Sequence, residues 1–287
     1  MKTAFVFAGQ GAQKEKMGQE FFGLNATNYP EIESLILTGT QEQLNQTHIT
    51  QKAIALTSIS IAKEVLKRVK PDYVLGLSLG EYSALWCSQV LSENDLLQTV
   101  TIRGNLMHQA LHDSNSSMMA VLDQDIELIK SLTKDYDCWI SNYNAPNQTV
   151  VSGIKDNLNK LANVFKMNHI RSIPLKVSGA FHSPLLKEAS NKLETALDKI
   201  ALKPQQIPVI FNVTGDTDDD KSIKDMLIQQ LYSPVQFVTC INRAVELGVT
   251  KFIEIGPGTT NASLIKKISP NSDVFSINQL KDLEKLV

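Results

Sequence analysis

The stretch Val74 to Leu91, VLGLSLGEYSALWCSQVL, continues a short apolar run begun at Tyr73, passes through G-x-S-x-G at Gly76 to Gly80, and reads as a helix from Glu81 onward. Strand, tight turn and helix in that order suggest an α/β body of the α/β-hydrolase kind. A serine at such a turn is held in a strained backbone, with Oγ presented above the sheet. The flanking glycines allow the bend because neither carries a Cβ to clash. The first amides of the helix point to the same spot and favour negative charge developing there. Ser78 is therefore a candidate nucleophile; a glycine-rich turn with an idle serine is the plainer reading of the pentapeptide alone.

Upstream, Thr3 to Phe7 (TAFVF) reads as a buried first strand. The loop Gly9-Gln10-Gly11-Ala12-Gln13 follows at a strand end, where α/β sheets place ligands, or is a simple turn. It lacks the spacing of a phosphate loop. Met17 to Leu24 and Glu31 to Leu37 read as short helices, and Glu42 to Gln51 as polar and turn-like. Ala53 to Val69 reads as an amphipathic helix stopped by Pro71. Downstream, Ser92 caps a helix from Glu93 to Leu111. Leu96, Val100, Arg103, Met107 and Ala110 fall on one stripe of it, which sets Arg103 among apolar neighbours. An unpaired buried guanidinium is costly. Arg103 is thus a structural ion pair, a snorkelling side chain, or a planar fork for a substrate carboxylate.

The pattern then changes to β-α-β-β-α-β: Met118 to Leu122, Asp125 to Lys134, Cys138 to Tyr143, Gln148 to Ser152, Asp156 to Met167 and Arg171 to Val177. That is the split βαβ of ferredoxin-like domains. The expected organisation is a large subdomain from residues 1–117 and 184–287, with a parallel sheet, and an inserted small subdomain over 118–183. Where the insert rejoins the body, His182 sits in the loop SGAFHSP, at a cleft of the sort that holds small molecules. Of the other four histidines, His48 and His169 lie in polar connections. His108 and His112 are four apart on one helical face, a metal-ligand spacing with no third ligand apparent. Beyond the insert the chain predicts a helix over Lys187 to Lys199 and a strand over Val209 to Val213. An acidic surface loop over Gly215 to Lys221 follows, then helices over Ile223 to Leu231 and on to Leu247. A strand over Lys251 to Ile255, a helix over Asn261 to Ile268 and a last strand near Val274 to Ile277 complete it.

The 287 residues are 43% hydrophobic and 20% charged, enough to bury a sizeable core. A net charge of −2 offers no support for nucleic-acid or membrane-surface binding. Three scattered cysteines without a C-x-x-C pair indicate neither a disulfide framework nor a zinc site, and suit a reducing compartment. No run approaches the roughly 20 apolar residues of a membrane span, and the apolar N-terminal run is too short for a signal peptide. A cytoplasmic location is expected.

Seven segments, in order, resemble the malonyl-CoA:acyl-carrier-protein transacylase family, the loading enzymes of type II fatty-acid synthesis. They are AGQGAQ (Ala8 to Gln13), GLSLGEYSAL (Gly76 to Leu85), RGNLM (Arg103 to Met107), NYNAPNQTVVSG (Asn142 to Gly153), GAFHSPLL (Gly179 to Leu186), QLYSPVQF (Gln230 to Phe237) and IEIGPG (Ile253 to Gly258). The resemblance implies Ser78 as the nucleophile that accepts malonyl and His182 as general base, then acid. It implies an oxyanion hole from the backbone N–H groups of Leu79 and Gln10, and Arg103 on the malonyl carboxylate. The carbonyl of Gln230 would orient His182 in place of an aspartate. Asn144 and Gln51 match polar positions lining the family's cleft, and Phe181 resembles malonyl-selective members. The expected partners are malonyl-CoA and holo acyl carrier protein, met by a monomer through a basic patch (Lys52, Lys176 and Lys187), with no bound metal or redox cofactor. Leu77 stands where the family's commonest motif has histidine, and Lys52 where many members have proline. The alternatives are a polyketide acyltransferase acting in trans, an acyl-thioester serine hydrolase, or a silent carrier-docking subunit.

Overall fold

A computed structural model describes residues 1–24, 28–217 and 222–286. In chain order its elements are β1 (Lys2–Phe7), α1 (Gln19–Phe22), α2 (Pro30–Thr38), α3 (Gln41–Leu44), α4 (Thr47–Leu66), β2 (Tyr73–Gly76), α5 (Gly80–Cys87), α6 (Glu93–Leu111), β3 (Ser116–Leu122), α7 (Ile126–Asp135), β4 (Trp139–Ala145), β5 (Gln148–Ile154), α8 (Lys155–Met167), β6 (Arg171–Pro174), α9 (Lys187–Leu197), α10 (Ile223–Gln230), α11 (Phe237–Glu246), β7 (Val249–Ile255), α12 (Thr260–Ile268) and β8 (Asp273–Ile277).

The first sheet is parallel, in the order β2-β1-β7-β8. β1 is covered on both faces, which is why it reads as an unbroken apolar run rather than an alternating one. α4 is buried around nearly its whole circumference, so it is a core helix and not the one-faced surface helix that periodicity suggests. Its small hydroxyl residues Thr57, Ser58 and Ser60 are interior, and Ser60 Oγ donates to the Leu56 carbonyl at 2.8 Å. The segment expected to be turn-like forms α3 and the first turn of α4. Thr40 and Gln43 close a capping box there, whose polar residues mimic a loop in sequence.

The second sheet is antiparallel, in the order β4-β5-β3-β6, with α7 and α8 packed on it through Ile129, Leu158, Leu161 and Phe165. The chain thus has the parallel core and the ferredoxin-like βαββαβ unit. Two sets of contacts tie β4 of the second sheet to segments outside it. Residues Asn142 and Val235 form a parallel bridge, with Tyr143 N–H donating to the Val235 carbonyl at 2.9 Å and Val235 N–H to the Ser141 carbonyl at 2.8 Å. The Ser141 hydroxyl donates to the Phe181 carbonyl at 2.8 Å.

Three further expectations need correction. α5 ends at Cys87, short of Leu91, because Gln89 takes a left-handed turn (φ 64°). On α6 the buried stripe ends at Leu111, one step of four after Met107, and leaves Ala110, three after it, exposed. Val209 to Val213 is no strand. Only Val209 bridges Val74, Pro208 has no N–H to extend the ladder, and Asn212 turns its side chain into the serine turn. The acidic loop read at Gly215 to Lys221 lies partly outside the described residues.

Candidate active site

Ser78 lies between the end of β2 and the start of α5 at φ 54°, a left-handed conformation that is unfavourable for a residue with a Cβ. The turn is closed by contact. A Cβ on Gly76 would lie 2.0 Å from the Gly80 carbonyl carbon, and one on Gly80 would lie 2.2 Å from the Phe7 oxygen. Leu77 N–H donates to the Phe7 carbonyl, and Gly80 N–H to the Leu77 carbonyl.

His182 also has a left-handed backbone, at φ 53°. Its Nε2 is 2.7 Å from Ser78 Oγ, and its Nδ1 is 2.8 Å from the Gln230 carbonyl. A carbonyl only accepts, so Nδ1 carries the proton and Nε2 presents its lone pair to the serine hydroxyl. Burial, and then the charge of Arg103, lower the imidazole to about 4. It is therefore neutral near pH 7 and able to take a proton.

Arg103 is buried on α6 and donates from one terminal nitrogen to Ser78 Oγ at 3.2 Å and to Gln230 Oε1 at 3.1 Å. Its carbon lies 5.3 Å from the Tyr82 ring centroid. Its Nε finds no acceptor, and among the described residues no carboxylate lies within 4.0 Å of the guanidinium. The cation is buried with donors to spare, the state expected of an anion site rather than of a completed ion pair.

Above Ser78 and His182 is a cavity of about 150 Å³ lined also by Gln10, Leu77, Asn144, Lys176 and Phe181; Arg103 does not line it and reaches the site through its contact with Ser78 Oγ. Gln10 Nε2 donates to Thr47 Oγ1 at 3.3 Å. The backbone N–H groups of Gln10 and Leu79 meet no backbone acceptor among the described residues. Asn144 Oδ1 is buried without a donor. Gln51 is not on the cavity wall. It is fully buried on α4, its amide against Met107 Sδ at 3.1 Å. Leu77 supplies an apolar wall where the resemblance suggested histidine. Lys187 is stacked on Tyr232 at 3.9 Å, and Lys52 lies near His48. His48, His108 and His112 stand ring against ring at 4.8 and 5.4 Å, yet no three metal-ligating side chains among the described residues are arranged to hold an ion.

Two residues here were not singled out from the sequence. Glu81, fully buried in the first turn of α5, accepts from Gln230 Nε2 at 2.9 Å and from Asn212 N–H at 2.5 Å. Asn212 in turn accepts from Ser78 N–H at 2.6 Å and donates to the Gly76 carbonyl at 2.7 Å. The signals in the sequence were an acidic residue at the start of a helix and, for Glu81, its place in the GLSLGEYSAL segment.

Comparison with known proteins follows the same lines. The family described as acyl transferase domain matches residues 4–274. The malonyl CoA-acyl carrier protein transacylase of Bacillus subtilis (strain 168) is 37% identical, over 99% of this chain and 95% of its own length. Among solved structures, the transacylase of the same name from Clostridium perfringens superposes with a TM-score of 0.94 at 36% identity, covering 99% of this chain and 96% of its own. A type II polyketide acyl-carrier protein in complex with its malonyl-transacylase gives 0.94 at 29% identity, covering 100% and 99%.

Proposed function

This chain belongs to the acyl transferase family, and on that premise we propose that it moves malonyl from malonyl-CoA to the phosphopantetheine thiol of acyl carrier protein, in fatty-acid synthesis, through an ester on Ser78. What supports the assignment of roles is one cluster: the Ser78 hydroxyl touches both the His182 imidazole and the Arg103 guanidinium.

The chemistry runs in two mirrored halves. Malonyl-CoA enters with its free carboxylate on the spare donors of Arg103. His182 Nε2 takes the Ser78 proton as Oγ bonds to the thioester carbonyl carbon. The tetrahedral oxyanion is held by the N–H groups of Gln10 and Leu79. The C–S bond breaks, and the departing CoA thiolate receives the proton from His182. In the second half the carrier thiol gives its proton to His182, its sulfur attacks the malonyl ester, and Ser78 recovers its proton. None of these steps draws on a metal or redox group. Gln230 keeps the imidazole in the working tautomer throughout, and Phe181 narrows the room beside the acyl carbon.

The acidic carrier would approach the mouth of the cavity at Lys176. The small subdomain over 118–183 forms the other wall of the cleft. Three free, buried cysteines suit a reducing cytoplasm, and no helix among the described residues is long and apolar enough to cross a membrane.

Intact-mass measurement tests this directly. Incubation with malonyl-CoA should add one malonyl group to the wild-type chain and none to Ser78→Ala, and holo carrier should then remove it with equal gain of malonyl-carrier. Release of free malonate at the same rate without carrier would make the protein a hydrolase.

A further inference from the structure

Glu81 and Asn212 line no part of the cavity, yet each is bonded to a group that positions the reacting atoms. Asn212 comes from the segment alongside β2 and uses both ends of its backbone and side chain. Its carbonyl accepts from Gln236 N–H at 2.8 Å, and its N–H goes to Glu81. Its side chain spans the serine turn from the Gly76 carbonyl to the Ser78 N–H. It is therefore a clasp across the strained residue. Gln230 holds the other side. Its carbonyl sets the His182 tautomer, and its amide donates to the Ser78 carbonyl at 3.0 Å and accepts from Arg103. Those contacts fix the amide's orientation, since a flip would set oxygen against oxygen at Ser78 and N–H against N–H at Arg103.

Glu81 joins the two halves with one oxygen on each. Both contacts come from N–H groups, so only a carboxylate with two accepting oxygens satisfies them. Burial raises this carboxyl to about 8, against the pull of the Asn212 N–H, the Gln230 amide and the Arg103 charge; the geometry, an N–H donor on each oxygen, holds the ionised form. This buried acid is thus linked to the imidazole through one intervening residue, Gln230, whose side chain it accepts from and whose backbone carbonyl holds His182.

We propose that Glu81 and Asn212 are positioning residues of the acyl-transfer reaction, a buried carboxylate–amide brace that holds the Ser78 turn and the His182 acceptor at a fixed separation. The proposal rests on the role given to Ser78 above. Glu81→Gln is the diagnostic variant: it keeps size and removes one acceptor, so that an N–H faces an N–H at Gln230 or at Asn212. Asn212→Ala removes the clasp itself. The rate of Ser78 malonylation at saturating malonyl-CoA is read by rapid quench and intact mass, per molecule able to be malonylated, so misfolded protein does not count. Each variant should lose 10- to 100-fold in that rate with KM within threefold of wild type. The double variant should be no more than threefold slower than the slower single, because both act through one chain of contacts. A rate within threefold of wild type in either variant, a multiplicative loss in the double, or a rise in KM at unchanged rate would overturn the proposal. If Glu81→Gln does not fold, Asn212→Ala decides alone. Absence of malonylation in the wild type would instead sink the assignment of Ser78.

Discussion

Arg103 lies beside Ser78 with a buried charge, an unpartnered Nε and, among the described residues, no carboxylate within 4.0 Å. A diacid supplies what it lacks; acetyl does not. Arg103→Ala should lower malonyl transfer by roughly 30-fold or more, in line with the loss of one partner from a buried charge pair, and acetyl transfer by only a few-fold. Parallel assays with the two CoA esters check this, and equal losses would remove the carboxylate role. At the same scale His182 sets the pH response. Its imidazole, lowered to about 4 chiefly by burial, stays unprotonated well below the ordinary range. The kcat/KM for malonyl-CoA should be level from pH 8 to pH 6 and fall toward pH 4. An inflection near 6.5 would mean that the imidazole is solvated in the free enzyme. Ser78, Arg103 and His182 were all visible in sequence, as a serine between glycines, a cation on an apolar stripe and a histidine at a domain junction. Gln51 matched a cleft position and is instead packed under it, because the first turns of α4 are interior.

β2, the serine turn and α5 behave as one element, held by contact as much as by hydrogen bonds. Gly80 has ordinary helical geometry but sits against the Phe7 backbone, which cannot yield as a side chain would. Gly80→Ala should therefore destabilise the fold by about 3 kcal/mol or more and abolish Ser78 labelling. Gly23→Ala, with nothing within 4 Å of the new Cβ, should stay within about 0.5 kcal/mol. Urea unfolding of the two variants makes the comparison. Most elements were legible from periodicity and caps: Ser92 at α6 accepts from Asp95 N–H, and Asp125 at α7 from Leu128 N–H. The failures came where tertiary contact overrode a local pattern. Thr47 to Gln51 looks polar and is the buried start of α4. Val209 to Val213 looks like a strand and leaves the ladder so that Asn212 can reach the serine turn.

For the whole molecule, a neutral buried imidazole is a liability in acid. The unfolded chain protonates His182 near 6.5 and the folded chain only near 4, so the unfolded state binds the extra proton as pH falls between them. At pH 5 this weakens folding by about 2 kcal/mol relative to pH 8. His182→Gln should show that much less acid destabilisation, measured as the change in urea midpoint between the two pH values. The sequence alone determined most of the order of strands and helices and the change of pattern at the second sheet, and it singled out Ser78, Arg103 and His182 as candidates, since turn chemistry, capping and periodicity act between near neighbours in the chain. Only the tertiary structure decided the tautomer of His182, the spare donors of Arg103 and the brace of Glu81 and Asn212. Each of these follows from burial and from distances between groups as many as 152 positions apart, which no local pattern encodes.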